Sequence, residues 1–321
     1  MNSCKICGNN KNNAIFKARE MMFGTGEEFE YLKCHICGCL QIKEIPPDMT
    51  KYYPDEYNAF DPVIKTTDLP LKKYLKLQKS RYCLRGKFNP LGILLSWIYG
   101  CEFSAKLKKA CVDFDDKILD IGTGNGRRLV GLCREGFSNL TGIDPFIDSD
   151  IFYDNGVRVL KKDLFDLSDT FDFIMLNHAF EHVPNPFEVL THIRKILNPD
   201  KFVMIRTPVV DSYSWYKYRE NWVAFDAPRH LFIYNQNSIK IVAEKTGFKL
   251  VDILYDSSEY QFWGSEQYLN GIPMRDDRSY YDNPVNSMFT RQQIKKYKKH
   301  AAKLNKENKG DAACFYLRKT G

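Results

Sequence analysis

Four cysteines near the start of the chain are spaced like the ligands of a metal ion. They form two Cys-x-x-Cys-Gly units, at residues 4–8 and 34–38. Such a turn points two thiolates at one centre, and the glycine after it permits the tight backbone that frees amides to bond the sulfurs. Two units supply the tetrahedral thiolate set that zinc prefers, so we predict a closed, structural zinc site held by Cys4, Cys7, Cys34 and Cys37.

The other cysteines leave alternatives open at this end of the chain. The two units could instead form a redox-active dithiol pair, or their cysteines could be buried without any common role. His35 and Cys39 are further potential ligands. Five further cysteines are scattered through apolar or helical surroundings. We expect these to be small buried hydrophobic residues without a role: Cys83, Cys101, Cys111, Cys133 and Cys314.

A glycine-rich run at residues 118–126 (Ile-Leu-Asp-Ile-Gly-Thr-Gly-Asn-Gly) could bind a cofactor. It ends a short apolar strand and opens a helix, and its glycines let the backbone approach a ligand closely. Asp144 ends the next predicted strand, where a carboxylate can accept both hydroxyls of a ribose. This pattern assigns six residues to the cofactor: Asp120, Gly122, Gly124, Asn125, Gly126 and Asp144.

The spacing of the run separates two classes of cofactor. A dinucleotide fingerprint reads Gly-x-Gly-x-x-Gly, because the helix N-terminus must meet a pyrophosphate. Here the third glycine comes one residue early, and Asp120 precedes the first glycine. A carboxylate at that point repels phosphate and suits an ammonium group. The run therefore favours S-adenosylmethionine over NAD.

Strands alternate with helices from residue 116 onward, which predicts an α/β fold. The sheet is expected to be doubly wound, mostly parallel and seven-stranded, with ligands at the carboxyl ends of its strands. The predicted strands are residues 117–121, 140–143, 157–160, 171–176, 202–206, 249–255 and 312–317.

These segments resemble class I S-adenosylmethionine-dependent methyltransferases. Residues 120–126 and 142–145 resemble the first motif and the second-strand acid of that class. Residues 162–164 resemble the third-strand segment whose aspartate contacts adenine, and residues 177–186 (Asn-His-Ala-Phe-Glu-His-Val-Pro-Asn-Pro) resemble the segment after the fourth strand of ubiquinone-type and sugar methyltransferases. The resemblance implies three further cofactor residues: Pro145, Asp163 and Asn177.

The resemblance covers residues 100–256, about half of the chain, and it sharpens the expected organisation. The cysteine units are similar to those of sugar C-methyltransferases with an N-terminal zinc-binding domain, although this chain is too short for their additional C-terminal domain. Residues 262–268 look like methyltransferases of bacterial surface-polysaccharide biosynthesis. The implied parts are a zinc-ribbon module at 1–48, a helical linker or cap at 49–105, and a Rossmann-like methyltransferase domain at 106–321 with an insertion at 257–310.

Histidines are the candidates for acid–base chemistry. A hydroxyl acceptor benefits from a general base with a pKa near 7, which indicates histidine. His178 and His182 flank Glu181 after the fourth predicted strand, and His230 lies in a loop beyond the fifth. We order the candidate bases His182, His230, His178, with helix capping or packing as the alternative role. No His-Glu-x-x-His pattern is present, and we predict no catalytic metal.

Charge and hydropathy narrow the partners. The net charge is +7, from 47 basic and 40 acidic residues. Residues 291–309 hold eight bases and one acid, which leaves 39 of each elsewhere, so the positive field is local and a nucleic-acid partner is unlikely. No apolar run reaches the roughly 18 residues of a membrane span, and we expect a soluble, cytoplasmic protein of undetermined oligomeric state.

A cluster of four aromatic residues either packs in the interior or forms a platform for a sugar or aromatic ring: Trp215, Tyr216, Tyr218 and Trp222.

Three functions are therefore in competition. The first is methyl transfer to a small-molecule acceptor, a nucleotide-linked sugar or glycan precursor. The second is O-methylation of a quinone or another aromatic acceptor, which predicts an apolar pocket and no need for zinc. The third is a binding protein that keeps the cofactor fold without activity. An RNA methyltransferase is a weaker alternative, because the zinc module carries few clustered bases.

Overall fold

The computed structural model describes residues 3–54, 63 and 66–320. Part of the predicted linker, residues 55–62 and 64–65, lies outside the described residues. The described part contains twelve strands: β1 (Ala14–Arg19), β2 (Glu28–Lys33), β3 (Leu40–Ile42), β4 (Ile118–Ile121), β5 (Leu140–Ile143), β6 (Ile151–Phe152), β7 (Arg158–Leu160), β8 (Phe171–Asn177), β9 (Leu197–Pro208), β10 (Phe232–Ile233), β11 (Phe248–Tyr255) and β12 (Ala312–Lys319).

The α-helices of the same residues lie between these strands and before β4. They are α1 (Pro70–Arg85), α2 (Pro90–Tyr99), α3 (Glu102–Lys109), α4 (Arg127–Glu135), α5 (Pro186–Ile196), α6 (Tyr213–Tyr218), α7 (Gln236–Lys245), α8 (Tyr260–Leu269) and α9 (Arg291–Lys306). None of the helices described is long and apolar enough to cross a membrane.

The central sheet has the order β11-β12-β9-β8-β4-β5-β7-β6. Strands β7, β5, β4, β8 and β9 run parallel, whereas β12 is antiparallel to both β9 and β11. The predicted Rossmann-like α/β fold is therefore supported, but the expected seven-stranded sheet is corrected to a mixed sheet of eight strands. The extra strand, β6, pairs antiparallel at the edge and is only two residues long, too short to leave a periodic signal.

Burial explains why these segments are strands. β4 and β8 lie in the middle of the sheet and are nearly continuous apolar runs, as expected for parallel strands covered on both faces. Asp120 in β4 and Asn177 at the end of β8 are the polar exceptions near their carboxyl ends. Because parallel strands present these ends at one edge of the sheet, the loop after β4 meets the segments that follow β5 and β8.

The N-terminal module shares a sheet with the rest of the chain. Its strands β1, β2 and β3 are antiparallel, and β10 completes the sheet beside β3. The buried hydroxyl of Tyr31 donates to the backbone oxygen of His230 at 2.9 Å, and the Tyr31 ring packs edge-on against Phe225 with centroids 4.6 Å apart. The predicted boundary at residue 48 remains a proposal, and the module contributes to a core that continues into the main domain.

The structure tests two expectations about the helical parts of the chain. Cys83 in α1 and Cys101, just before α3, form a disulfide, so they are not the free buried cysteines that we expected. Their separation along the chain gave no sign of the pairing. Helix α9 turns Ile294, Ala301 and Leu304 inward and leaves its lysines exposed, which is the solvated charged face of an ordinary surface helix.

Candidate functional site

The loop between β4 and α4 depends on its glycines. Gly122, Gly124 and Gly126 have φ values of 69°, 56° and 75°, a region that side chains rarely adopt. A Cβ on Gly122 would lie 2.7 Å from Cβ of Ala179, and one on Gly126 would lie 2.5 Å from Cγ2 of Val159. The loop thus packs directly against the segment after β8, and larger residues would separate the two.

Asp144 fastens this loop to the end of β5. Its Oδ2 accepts a hydrogen bond from the amide of Gly124 at 2.9 Å, and its Oδ1 accepts one from the amide of Phe146 at 3.0 Å. The side chain is buried. In doubly wound sheets a carboxylate at this position binds ribose hydroxyls. Each oxygen of Asp144 keeps a further lone pair that can accept such a hydrogen bond.

Asp120 lies beside the loop in a nearly dry environment. Its Oδ2 accepts from Oγ1 of Thr123 at 2.9 Å, and its Oδ1 accepts from Nδ2 of Asn177 at 3.4 Å. Burial raises the pKa of Asp120 to about 6, against the opposing effects of Arg128, Thr123 and Asn177. The buried Oδ1 of Asn177 has no hydrogen-bond partner within the part of the chain that the structure describes. A cavity of about 500 Å³ opens here, lined by residues that include Asp120, Gly122, Thr123 and Asn177.

The remaining predicted cofactor residues surround the same edge of the sheet. Oδ1 of Asn125 accepts from the amide of Arg127 at 3.0 Å, and its backbone oxygen accepts from the Tyr153 hydroxyl at 2.5 Å. Asp163 is exposed and caps a 3₁₀ turn, where its Oδ1 accepts from the amide of Phe165 at 2.9 Å. Pro145 is exposed beside Asp144.

The segment after β8 carries a buried glutamate held by a histidine. Glu181 is fully buried, and Nδ1 of His178 lies 3.1 Å from its Oε1. Burial would raise the pKa of Glu181, but the hydrogen bond from His178 and the nearby histidines outweigh burial and lower the pKa to about 2. Nε2 of His178 contacts the guanidinium of Arg206. Glu181 is therefore an anion in the interior, and its orientation is set by His178.

Two further histidines face Glu181. Nδ1 of His182 lies 2.9 Å from the backbone oxygen of Arg229, and Nδ1 of His230 lies 2.9 Å from the backbone oxygen of Ala224. Their rings meet edge to face with centroids 4.8 Å apart. Burial, followed by the neighbouring His230, lowers the pKa of His182 to about 4. A carbonyl oxygen can only accept, so each Nδ1 carries a proton, and the Nε2 of either ring has a lone pair when that ring is neutral.

The structure thus brings together the four predicted catalytic residues: His178, Glu181, His182 and His230. The other three histidines lie elsewhere. Nε2 of His192 lies 3.2 Å from the backbone oxygen of Leu167, His300 stacks on Phe262, and His35 is exposed in the second cysteine unit.

A buried arginine behind this cluster escaped the sequence interpretation as a functional residue. Arg229 is inaccessible to solvent and pairs with Asp226 at 2.6 Å and with Glu20 at 3.0 Å. Its Nη1 also donates to the backbone oxygen of Tyr52 at 3.1 Å. Asp226, three residues before Arg229, was the one nearby residue in the sequence that indicated an ion pair. Glu20 comes from the N-terminal module, and residue spacing could not have predicted its contact with Arg229.

The aromatic group after β9 is packing and not a platform. Trp215 and Trp222 are 0% exposed and Tyr218 is 2% exposed, which leaves no face for a sugar ring. Nε1 of Trp222 donates to Oδ2 of Asp311 at 2.9 Å. Of this group only Tyr216 is exposed. The packing alternative is therefore the observed one, because the aromatic faces meet one another beneath α8.

The four predicted cysteine ligands converge. Sγ of Cys4 lies 3.5 Å from Sγ of Cys37, Sγ of Cys7 lies 3.4 Å from Sγ of Cys34, and all four sulfurs lie within 4.8 Å of one another. Zinc–sulfur bonds of about 2.3 Å place tetrahedral sulfurs roughly 3.8 Å apart, which this spacing approaches. Cys39 is buried outside the set, its Sγ donating to the backbone oxygen of Leu40. The cluster is compatible with zinc.

Comparison with known proteins adds a family model and several distant relatives. Residues 97–253 match the model of a methyltransferase domain. EEF1A lysine methyltransferase 2 of Danio rerio is 32% identical over 120 residues, which cover 31% of this chain and 49% of the relative. A ubiquinone biosynthesis O-methyltransferase of Erwinia tasmaniensis is 27% identical over 147 residues, 41% of this chain and 57% of the relative. A tRNA U34 carboxymethyltransferase of Aliarcobacter butzleri is 26% identical over 185 residues, 53% of this chain and 60% of the relative.

Two of these relatives are named as methyltransferases and the third as a carboxymethyltransferase, and they differ in the acceptor. The chain matches about half of the length of these curated relatives. The match to the family model, at residues 97–253, includes the glycine loop. Their names include a protein lysine, a quinone and a transfer RNA. The domain match and the relatives together support an S-adenosylmethionine-dependent methyltransferase and leave the acceptor open.

Proposed function

We propose that this chain, with its class I methyltransferase domain at residues 97–253, transfers a methyl group from S-adenosylmethionine to a hydroxyl oxygen of a small molecule. The finer part of the proposal is that the acceptor is a sugar, nucleotide-linked or part of a glycan precursor. The observation that carries the proposal is the cluster formed by Glu181 and His182, which follow β8, and His230, which comes from the loop before β10; the carboxyl end of β8 adjoins the glycine loop. A buried histidine–carboxylate cluster suits an acceptor that must lose a proton.

The residues present fit the methyl donor. Asp120 and Asn177 both line the cavity beside the loop, where the amino-acid group of the donor would find an amide and a carboxylate. Asp144 would accept the ribose hydroxyls. When bound, the donor supplies a methyl group whose bond to sulfur breaks with the electron pair left on sulfur, while an acceptor lone pair forms the new bond. The chain must therefore hold the acceptor in line and accommodate its proton.

The histidine–glutamate cluster provides the groups for that proton. In their neutral forms His182 and His230 both have a lone pair on Nε2, because their Nδ1 atoms donate to backbone oxygens. Glu181 stabilises positive charge that develops on either ring, and His178 keeps the glutamate in place. In this account His182 is the first candidate to receive the proton. Its pKa of about 4 keeps the ring uncharged at neutral pH and makes it a weaker base than a histidine with a pKa near 7. His230 is the second candidate, and His178 is a positioning residue.

Affinity for the methyl donor should depend on pH through Asp120. Its pKa of about 6 means that the carboxyl is neutral in more acidic solution and anionic above, and only the anion attracts an ammonium group. The charged groups that act on it are Arg128 and Asp144. We expect affinity to rise as pH increases from 5 to 7, by up to roughly tenfold per pH unit below the pKa. Calorimetric titration at several pH values measures this, with Asp120→Asn as the control that flattens the dependence.

An acceptor screen tests the reaction itself. Formation of S-adenosylhomocysteine would be followed with nucleotide sugars, a catechol-type quinone precursor and transfer RNA as separate acceptors. We expect turnover with a sugar and at least a hundredfold loss in Asp144→Ala, because a charge-assisted bond of about 1.5–3 kcal/mol is removed along with the anchor of the loop. Asp144→Asn, which keeps one acceptor oxygen, should lose less.

The screen also separates the competing functions. Turnover with the quinone precursor alone would favour the second candidate, which the ubiquinone-pathway relatives support. Donor binding without turnover on any acceptor would favour a cofactor-binding protein. Normal donor binding by Asp144→Ala would contradict the ribose assignment.

A further inference from the structure

Three side chains of the histidine–glutamate cluster have the arrangement of a metal site. Each of Glu181, His182 and His230 offers a ligand atom, and these atoms all lie within 4.8 Å of one another. Glu181 and His182 sit in the 3₁₀ turn Phe180–His182, and His230 comes from the loop before β10. We infer that these three residues bind a divalent metal ion at the acceptor side of the site, in addition to the ion at the cysteines.

The tautomers of both histidines are set for coordination. Their Nδ1 atoms donate to the backbone oxygens of Arg229 and Ala224, each at 2.9 Å. Nε2 of His230 lies 3.9 Å from Oε1 of Glu181, close enough for one ion to contact both atoms. Metal-bound histidines generally donate their other ring nitrogen to a carbonyl or carboxylate in this way, since that bond fixes the ring and its tautomer.

Glu181 provides an independent indication of a missing cation. It is fully buried, and its Oε2 has no hydrogen-bond partner within the described residues. The basic side chains within 4 Å of its carboxylate in that part of the chain are His178 and His230, and no lysine or arginine is among them. Leaving a carboxylate oxygen buried and unmatched costs free energy, and a bound cation removes that cost.

The surroundings add negative charge. Oδ2 of Asp226 lies 3.7 Å from Nε2 of His230, and both oxygens of Asp226 accept hydrogen bonds from Arg229. Arg229 also pairs with the buried Glu20. Arg229 thus pairs with two acidic groups, Glu20 and Asp226, and the carboxylates of Asp226 and Glu181 both lie within 4 Å of Nε2 of His230. A divalent ion beside His230 would be attracted by both of these carboxylates.

The ligand set indicates the class of metal and its role. Two imidazoles and one carboxylate suit zinc and the other late first-row divalent ions, and three protein ligands leave a position open. The role of the ion rests on the proposed function, whereas its binding does not. With the ion bound, His182 and His230 would be ligands and would not take up the acceptor proton. The ion would lower the pKa of a hydroxyl acceptor in the open position, and the proton would pass to solvent water.

Metal titration of the zinc-loaded protein, with cobalt(II) as the probe, tests the site. Cobalt bound by thiolates shows intense sulfur-to-metal charge-transfer absorption, whereas cobalt bound by imidazole and carboxylate shows only weak visible bands. We expect one added equivalent with the weak bands alone. Its affinity should fall at least about 100-fold in Glu181→Gln and in His182→Asn, the latter keeping a side-chain N–H donor toward Arg229. His192→Gln is the matched control and should bind like the wild type.

The possible results of these experiments distinguish the inferred metal site from the proposed methyl-transfer reaction. Failure of the wild type to bind a second ion would overturn the inference, as would undiminished binding by both ligand variants that retain zinc and the wild-type circular dichroism. Cobalt binding as expected, without methyl transfer to any acceptor, would support the site and contradict the proposed function. Full methyl transfer by protein that holds zinc only at the cysteines would overturn the catalytic role of the ion.

Discussion

Replacing Cys34 with serine is expected to release zinc and to destabilise both the N-terminal module and the loop that carries His230. Zinc in small thiolate modules contributes roughly 10–16 kcal/mol of apparent binding free energy. The module has few strands of its own, and β3 pairs with β10, the strand that directly follows His230 and Leu231. Loss of the ion should therefore also loosen the loop that carries His230. Thermal unfolding and zinc content by elemental analysis measure the effect.

Cys39 provides a matched control for this prediction. It is as buried as Cys4, Cys34 and Cys37, lies close to the second unit in sequence, and is not one of the converging sulfurs. Cys39→Ser should keep one zinc per chain at the cysteines, with a modest loss of stability from burying a hydroxyl. Equal zinc loss in Cys39→Ser and Cys34→Ser, or full zinc retention in Cys34→Ser, would contradict the assignment of the ligands.

Replacing Arg229 with methionine should be the most costly single change in the interior. The variant would leave Glu20 and Asp226 buried without their common cation, and breaking a buried pair in this way costs about 3–5 kcal/mol. Because Glu20 belongs to the module and Asp226 to the main domain, both parts should lose stability together. Denaturant unfolding followed by circular dichroism gives the free energy of unfolding.

Two further variants decide whether the cost comes from the buried charges. Arg318→Met removes a partner of Asp200 from an exposed pair, where the side chains are 50% and 79% accessible, and should change stability by less than about 1 kcal/mol. Adding Glu20→Gln to Arg229→Met should recover part of the loss, since one of the uncompensated carboxylates is then neutral. A loss below 1 kcal/mol in Arg229→Met would contradict the account.

The sheet and the cofactor loop could be predicted because their signals are local. All seven predicted strands are present, and the carboxyl ends of parallel strands bring Asp120, Asp144 and Asn177 to one edge, as strand order requires. The cysteine set was also accessible from the sequence, since each Cys-x-x-Cys unit defines its own geometry. Local sequence patterns were sufficient to predict these features, because each strand, loop or cysteine unit is formed by residues that are close together in the sequence.

The rest of the site depends on contacts between distant segments. Arg229 and Glu20 are 209 residues apart in sequence, and His230 meets His182 only through the path of the loop before β10. For the same reason the sequence predicted no catalytic metal: the inferred ligands do not form one short motif. The aromatic residues after β9 were ambiguous because packing and ring recognition use the same residue types, and only their burial decided between them.

Isothermal titration of the purified, zinc-loaded chain with S-adenosylmethionine, and separately with NADH, tests the central claim most directly. The account predicts micromolar binding of S-adenosylmethionine and no signal with NADH, because the early third glycine and the buried Asp120 disfavour a pyrophosphate. Failure of a folded, zinc-loaded sample to bind S-adenosylmethionine, or binding of NADH in its place, would contradict the assignment of this chain as a methyltransferase.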